Sequence, residues 1–258
     1  RLRAAETPGR AVLAPVGGDG GGAPTGRRLG GSLRSLVMSG PLALVGGGEW
    51  RDGCDFDSEL LAASGGDEVV VLPTAAAYEH PDHAVERATR WLGGLGATVR
   101  PVMAVDRTGA HDDGNTTAVR DARFVYLSDG SPMHLRSVLM HSPLWDALVA
   151  AWKGGAVLAG SGAGAMVLCD PAVDPRGGAF TLGLGLLQQL AVVARADTWS
   201  EDKLHRTLQL TPAGVPLVEV DERTALIRDA DGTWRSTGVG TASVWVDGRQ
   251  TDLAALPT

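Results

Sequence analysis

The residues with the clearest potential for chemistry form a run of small side chains, Gly160–Ala165, directly after the apolar segment Ala156–Ala159. A strand that enters a helix through such a turn is the environment of a nucleophile elbow. In an elbow, a strained turn presents a side chain above a sheet, and the next backbone amide helps to form an oxyanion hole. Glycines two residues before and after position 162 relieve crowding there, so 162 is the apex. That residue is Gly162, however, and Ser161 lies one position early.

Two other glycine-containing loops follow apolar segments of the sequence. Gly46-Gly47-Gly48 follows Leu42–Val45, and Asp129-Gly130 follows Phe124–Leu127. Backbone amides in such loops can approach an anion closely. The first loop lacks the last glycine of a dinucleotide-binding fingerprint, because Arg51 occupies that position, and no Gly-Lys-Ser/Thr phosphate loop occurs anywhere. We therefore predict no nucleotide and no other cofactor.

The elements that must position these loops alternate between short apolar segments and helical patterns. The predicted strands are Leu42–Val45, Glu68–Leu72, Thr98–Val105, Phe124–Leu127 and Ala156–Ala159, and the predicted helices are His83–Leu95 and Pro132–Trp152. This alternation indicates parallel strands covered on both faces, with the third strand near an edge because of Pro101. The later segments Val215–Val220, Thr224–Arg228, Trp234–Ser236 and Ser243–Val246 predict a β-rich C-terminal section. We predict one α/β domain over residues 38–258, with ligands at the carboxyl ends of its strands.

The turn Gly160–Ala165 resembles the elbow of the dipeptidase E and cyanophycinase family of serine peptidases, which reads Gly-x-Ser-Ala-Gly-Ala. Further segments agree with this family in the same order, and they are Gly46–Gly48, Leu127–Gly130, Pro175–Phe180, Gly183–Leu186 and Val220–Leu226. The likeness spans residues 41–226. It implies the class I glutamine amidotransferase-like fold, a flavodoxin-like three-layer sandwich with a mostly parallel central sheet. A homodimer is a further expectation from the resemblance.

The departures from the family pattern concern the catalytic triad. The nucleophilic serine of the family falls on Gly162, which has no side chain to attack a substrate. The resemblance places the histidine near Arg195 or near Trp199, and neither residue is a histidine. Glu222 matches the acidic member of the triad. An acid alone cannot replace both base and nucleophile, so we predict a catalytically inactive relative.

A binding role remains compatible with these losses. Backbone amides near Gly130 and Ala163 can form an anion pocket, because an oxyanion hole needs no side chain. The predicted binding residues are Gly47, Gly48, Asp129, Gly130, Ala163, Arg195 and Trp199. The predicted ligand is an acidic peptide end or another carboxylate.

An active hydrolase is the alternative interpretation of the same residues. In that case Ser161 attacks the substrate, His134 or His205 is the base, and Glu222 orients the base. A rearranged triad of this kind would cleave peptides that contain aspartate.

Metal chemistry is not expected at the other candidate clusters. His80 and His83 are spaced for metal ligation on a helix, but Pro81 more simply begins a helix there. Asp52, Asp55 and Asp57 precede a helical pattern, where acidic residues complement the helix dipole. We predict no metal site.

Charge divides the sequence into two parts. Residues 1–37 contain nine of the 36 glycines and six arginines against two acidic residues, which predicts a flexible extension. The net charge of the whole chain is −7, so the remainder carries −11, which argues against a nucleic-acid partner. No apolar run is long enough to span a membrane. Two cysteines cannot form a disulfide framework, and we expect a cytoplasmic protein.

Overall fold

Five apolar runs of the sequence form neighbouring parallel strands in the computed structural model, which describes residues 39–257. The five are β1 (Leu42–Val45), β2 (Glu68–Leu72), β3 (Thr98–Pro101), β4 (Phe124–Leu127) and β5 (Val157–Ser161), in the spatial order β1-β5-β4-β2-β3. Two antiparallel strands, β12 (Thr224–Arg228) and β13 (Trp234–Gly238), extend the sheet beyond β1 to seven strands. The predicted flexible extension over residues 1–37 lies outside the described residues.

Helices cover both faces of this sheet. They are α1 (Phe56–Ser64), α2 (Pro81–Gly94), α3 (Asp113–Arg120), α4 (Pro132–Leu139), α5 (Pro143–Lys153) and α6 (Ala163–Leu168), whereas α7 (Glu201–Leu210) packs elsewhere. Alternate residues of each strand enter different cores, because successive side chains of a strand point to opposite faces. In β1, Leu42 and Leu44 pack with α3 to α6, whereas Ala43 and Val45 pack with α1 and α2. The predicted flavodoxin-like three-layer arrangement is confirmed.

A second, four-stranded sheet contains β10 (Ala191–Ala194), β11 (Leu217–Val220), β14 (Ala242–Val246) and β15 (Arg249–Thr251). Two short pairs lie between α6 and β10: β6 (Cys169–Asp170) with β9 (Leu187–Gln188), and β7 (Ala172–Val173) with β8 (Phe180–Thr181). Helix α7 packs its partly buried Leu204 and Leu208 against the core that contains Val193. The predicted β-rich C-terminal section is therefore confirmed, and β10 brings its following residues towards the carboxyl ends of the central strands.

The prediction of a single helix over Pro132–Trp152 is wrong, because the structure has two helices there, α4 and α5. The helical conformation is interrupted at His141, whose φ is 55°. Ser142 then caps α5 by accepting a hydrogen bond from the amide of Trp145 at 3.1 Å. Pro143 begins the new helix, where its missing N–H costs no hydrogen bond. The cap and the proline together favour a helix start over a continuous helix.

Several other predicted ends shift by a few residues. Strand β3 stops at Pro101, although Thr98–Val105 was expected, and the Val102 amide still donates a hydrogen bond to the Val71 carbonyl of β2 at 2.9 Å. Strand β5 continues to Ser161, two residues past the expected end. Helix α2 begins at Pro81, two residues before the expected start. Within residues 39–257, no helix combines the length and the apolar character needed to cross a bilayer.

One carboxyl group lies inside the core between the sheet and α1. The Asp57 side chain is fully buried, and its Oδ2 accepts a hydrogen bond from the Trp91 indole at 2.9 Å. Burial raises the pKa of Asp57 to about 7, and the negative charge of Glu49 adds to this. Acidic residues at a helix start usually face solvent, and the sequence alone did not indicate this burial. The charged form of Asp57 is thus disfavoured in the fold.

Replacing Asp57 by asparagine should stabilise the protein at alkaline pH. Because the folded-state pKa lies above the unfolded value, the stability that protonated Asp57 contributes is fully present near pH 4 and is lost as pH rises through about 7. Each pKa unit is worth ~1.4 kcal/mol. Urea unfolding should show wild-type stability falling from pH 5 to pH 8 relative to Asp57→Asn. The exposed Asp55→Asn is the matched control and should follow the wild type.

Candidate functional site

A tight turn at Gly162 joins β5 to α6, at the position where the sequence predicts an elbow. Gly162 has φ 49° and ψ −104°, a left-handed conformation that side chains rarely adopt. Its amide donates to the Val45 carbonyl at 2.9 Å, which fastens the turn to β1. At Gly160 an added Cβ would lie 2.8 Å from the carbonyl carbon of Gly164, so small residues allow the strand and the helix to approach. The turn therefore has a positive-φ apex without a side chain, and it brings the strand and the helix close together.

The carboxylate of Asp129 lies where a side chain at position 162 would lie. A Cβ atom added to Gly162 would overlap the Cγ and both oxygens of Asp129. The Oδ1 atom accepts hydrogen bonds from the amides of Gly130 at 2.7 Å and Ala163 at 2.8 Å. These are the two amides that the sequence predicted for an anion pocket. In this structure both amides therefore donate their hydrogen bonds to a carboxylate of the chain itself, that of Asp129.

A buried glutamate, Glu49, accepts a hydrogen bond from the loop that contains Asp129. Glu49 is 5% exposed, and its Oε1 accepts a hydrogen bond from the Asp129 amide at 3.2 Å. Its Oε2 accepts a hydrogen bond from the Ser161 hydroxyl at 2.8 Å, and Ser161 is completely buried. Glu49 thus links the loops after β1, β4 and β5. The Ser161 hydroxyl is therefore held inside the protein by Glu49 and has no contact with solvent.

Arg195 connects Asp129 with Glu222 across the cleft. It follows β10 in a left-handed conformation with φ 55°, and its amide donates to the Gly46 carbonyl at 2.7 Å. Its guanidinium forms an ion pair with Asp129 Oδ2, and its Nε lies 3.4 Å from Glu222 Oε1. A Cβ at Gly47 would lie 2.8 Å from Arg195 Cγ, so this glycine admits the arginine stem. The three charged groups form a row.

This row lies at the positions where the family resemblance places the triad. Asp129 fills the space beside the nucleophile position, Arg195 stands at one of the two expected histidine positions, and Glu222 is the expected acid. Glu222 is held in place by its amide, which donates to Asp197 Oδ1 at 3.0 Å. An ion pair between Arg195 and Asp129 therefore lies where the resemblance leads us to expect a nucleophile and a base.

The charge state of Asp129 reflects opposing influences. Burial raises the pKa of this carboxyl above its ordinary value, and the nearby Glu49 carboxylate raises it further. Arg195 and the amides of Ala163 and Gly130 stabilise the charged form and partly offset that rise. Since the side chain is only 12% exposed, its charge depends on these few partners.

A cavity of about 250 Å³ opens beside this row. Its wall includes the predicted binding residues Arg195 and Trp199, and it also includes Met166 and Lys203. The Lys203 ammonium lies 3.3 Å from the centre of the Trp199 ring, a cation–π contact. A second cavity, of about 190 Å³, also borders Asp129 and is lined by Gly48, Glu49, Arg51 and Arg87 among others. The site therefore offers cationic and apolar surfaces together.

The histidines of the alternative triad are engaged elsewhere. His134 Nε2 lies 2.8 Å from the Val105 carbonyl, and its ring packs edge-on against Tyr78. His205 is exposed on α7, where its Nε2 lies 2.8 Å from the Gln209 side-chain nitrogen. Among the hydrogen bonds of residues 39–257, none joins Ser161 to a histidine. The structure therefore does not assemble the Ser161-based triad that the sequence allowed.

Two residues of the site were missed in the sequence. Glu49 directly follows the glycine run after β1, and a carboxylate at that edge of the sheet is a signal that could have identified it. Lys203 lies in the first turn of α7 and gave no comparable signal.

His80 and His83 stack at 5.0 Å between ring centres. Over the described part of the chain, no group of three or more histidine, cysteine or acidic side chains is arranged to hold a metal.

Comparison with known proteins identifies the family. The model of peptidase family S51 matches residues 42–233, whereas no curated protein matches the chain. A peptidase from an acI-B1 Actinobacterium has a similar crystal structure, with 26% identity and a TM-score of 0.75, covering 83% of this chain and 94% of that chain. A putative peptidase E protein from Listeria monocytogenes EGD-e shares the fold at 17% identity and a TM-score of 0.62, covering 78% of this chain and 100% of that chain. Because the family model covers well over half of its residues, the chain belongs to peptidase family S51.

Proposed function

We propose that this member of peptidase family S51 does not hydrolyse peptides by the serine mechanism and instead binds an acidic peptide end or another carboxylate ligand. The observation that carries the proposal is the Asp129 carboxylate beside Gly162. The carboxylate fills the space that a nucleophilic side chain at position 162 would need. It also accepts the hydrogen bonds of the two amides that would otherwise stabilise an oxyanion.

The loss of hydrolysis follows from what each step of the serine mechanism needs. A serine peptidase requires a hydroxyl at the apex of the elbow, a base that accepts its proton, and free donors for the developing oxyanion. Gly162 supplies no hydroxyl. A guanidinium group has no lone pair with which to accept a proton, so Arg195 cannot act as the base. The amides of Gly130 and Ala163 already donate to Asp129.

Carboxylate binding is supported by the charges around the 250 Å³ cavity. Arg195 and Lys203 both line it, and apolar contacts come from Met166 and Trp199. Arg195 is shared between two acidic side chains. Lys203, by contrast, forms no ion pair within residues 39–257, and its ammonium lies against the Trp199 ring. A ligand carboxylate near Lys203 would gain a charge-assisted hydrogen bond.

Calorimetric titration with an aspartyl dipeptide tests the binding proposal. We expect saturable heat at millimolar ligand, and no comparable heat with a dipeptide that has asparagine in place of aspartate. Lys203→Met keeps the length of the side chain but removes its charge, and it should weaken binding about tenfold, which corresponds to ~1.4 kcal/mol.

The chain supplies a matched control for that variant. Lys153 is the other lysine of the sequence and is exposed at the end of α5. Lys153→Met should bind the aspartyl dipeptide as the wild type does. If the wild type gives no heat with any acidic peptide, or if both lysine variants behave alike, the binding proposal fails.

A further inference from the structure

We propose that the amides of Gly130 and Ala163 and the guanidinium of Arg195 form a carboxylate-binding site, and that Asp129 is its built-in occupant. An external carboxylate then binds there only by displacing the Asp129 side chain. The inference rests on the proposed function for the existence of such an outside ligand, but the site itself is defined by the chain's own contacts.

The contacts of Asp129 are those of a bound carboxylate. One oxygen accepts two backbone hydrogen bonds, at 2.7 and 2.8 Å, from loops that follow different strands. The other oxygen faces the Arg195 guanidinium. Two amides and a guanidinium directed at one carboxylate form a site for that group, since charge-assisted hydrogen bonds are stronger than neutral ones.

The two donor amides are fixed before any ligand arrives. Gly130 has φ 145°, and a Cβ there would overlap the backbone of Ala75, so its loop lies tightly against the segment after β2. Ala163 follows Gly162, whose own amide is bound to the Val45 carbonyl. Because both loops are held by backbone contacts, the site does not have to be reorganised for a new occupant.

Space for the displaced side chain exists in the second cavity that borders Asp129. The 190 Å³ cavity borders Asp129 directly, and Arg51 and Arg87 line it. Rotation about the Asp129 side-chain bonds would move the carboxylate from the amide pair into this cavity. Arg51 and Arg87 would attract it there, against the repulsion of Glu49 and Glu79, which line the same cavity. The 250 Å³ cavity would then receive the incoming ligand.

A built-in occupant makes the site selective. The apparent affinity of a ligand falls with the fraction of molecules whose site is open. A small anion gains only the amides and Arg195, which Asp129 already satisfies, so it competes poorly. A larger ligand that also contacts Lys203 and Trp199 gains enough to displace Asp129.

Chemical rescue with formate tests this proposal, because Asp129→Ala removes a carboxylate of formate's size. In ¹⁵N-resolved NMR titrations at pH 7, formate should shift the amide signals of Gly130 and Ala163 in the variant. The wild type should require at least ten times more formate for the same shifts. Adding Arg195→Gln to Asp129→Ala should weaken formate binding again.

Asp112→Ala is the matched control, because Asp112 also accepts a backbone hydrogen bond, from Asn115 at 2.8 Å, but at the start of α3. It should show no formate binding. If Asp129→Ala does not fold alone, formate should restore a cooperative thermal transition where chloride does not. Equal formate affinity in wild type and variant, or neither shifts nor rescue in the variant, would overturn the inference. Formate binding by the variant without peptide binding by the wild type would remove only the proposed function.

Discussion

Gly162→Ser should lower the free energy of unfolding by at least ~2 kcal/mol and should produce no hydrolysis of aspartyl dipeptides. Overpacking a well-packed site costs ~1–3 kcal/mol, and a side chain at an unfavourable backbone conformation costs a similar amount. Both apply here, because the new Cβ overlaps the Asp129 carboxylate and φ is 49°. Hydrolysis stays absent because Arg195 cannot accept the serine proton.

Two comparisons separate the cost of overpacking from the cost of backbone strain in Gly162→Ser. Gly185 has φ 70° and nothing within 4 Å of an added Cβ, so Gly185→Ser measures backbone strain alone. Gly162→Ser should cost clearly more than this control. Combining Gly162→Ser with Asp129→Ala should recover part of the loss, which a double-mutant cycle in urea would measure. A Gly162→Ser protein as stable as the wild type, or one that cleaves aspartyl dipeptides, would show that Asp129 and Arg195 do not lie as described.

Arg195→Ala should destabilise the protein by about 2 kcal/mol at pH 8. Removing one partner of a buried ion pair costs ~3–5 kcal/mol, and solvent screening reduces this value because the Arg195 side chain is 48% exposed. The 12% exposed Asp129 carboxylate is then left beside Glu49 without its cation. Loss of Arg195 raises the pKa of Asp129 further, so the difference from wild type should shrink as pH falls and Asp129 becomes protonated.

Arg235 provides the matched control for this variant. It also bridges two carboxylates, Glu59 and Asp229, each at 2.9 Å, and it is 40% exposed. Its acidic partners are 53% and 35% exposed, so water can replace the arginine. Arg235→Ala should therefore cost less than ~1 kcal/mol. Equal losses for the two variants in urea unfolding at pH 5 and pH 8 would contradict the role given to Arg195.

The frame of the site could be predicted from local sequence. Four-residue apolar runs such as Leu42–Val45 and Phe124–Leu127 form strands at the expected positions, because both faces of the sheet are buried. The tight strand-to-helix turn at Gly160–Ala165 was also recognisable, since only small residues allow the strand and helix to meet so closely. Even the break before Pro143 has a local signal, because Ser142 and Pro143 form a cap and a helix start.

The contacts within the site could not be predicted in this way. The carboxylate of Asp129 meets the amide of Ala163, 34 positions away, and Glu49 meets Ser161, 112 positions away. Such contacts depend on strand order and on loop conformation, neither of which is a property of any local segment. The burial of Asp57 has the same origin, because packing against Trp91 rather than helix propensity decides which face of α1 is covered. The sequence located Gly162 at the apex of the turn, but only the fold showed that the Asp129 carboxylate fills the space beside it.

A fluorophosphonate probe tests the loss of serine-hydrolase chemistry most directly, because it labels an activated serine without any assumption about substrate. Wild-type protein would be incubated with the probe at pH 7.5, alongside Ser161→Ala and an active serine hydrolase as positive control. The intact mass would then be measured. We expect no added mass on the wild type under conditions that label the positive control fully. A single adduct that maps to Ser161 and is absent from Ser161→Ala would contradict it.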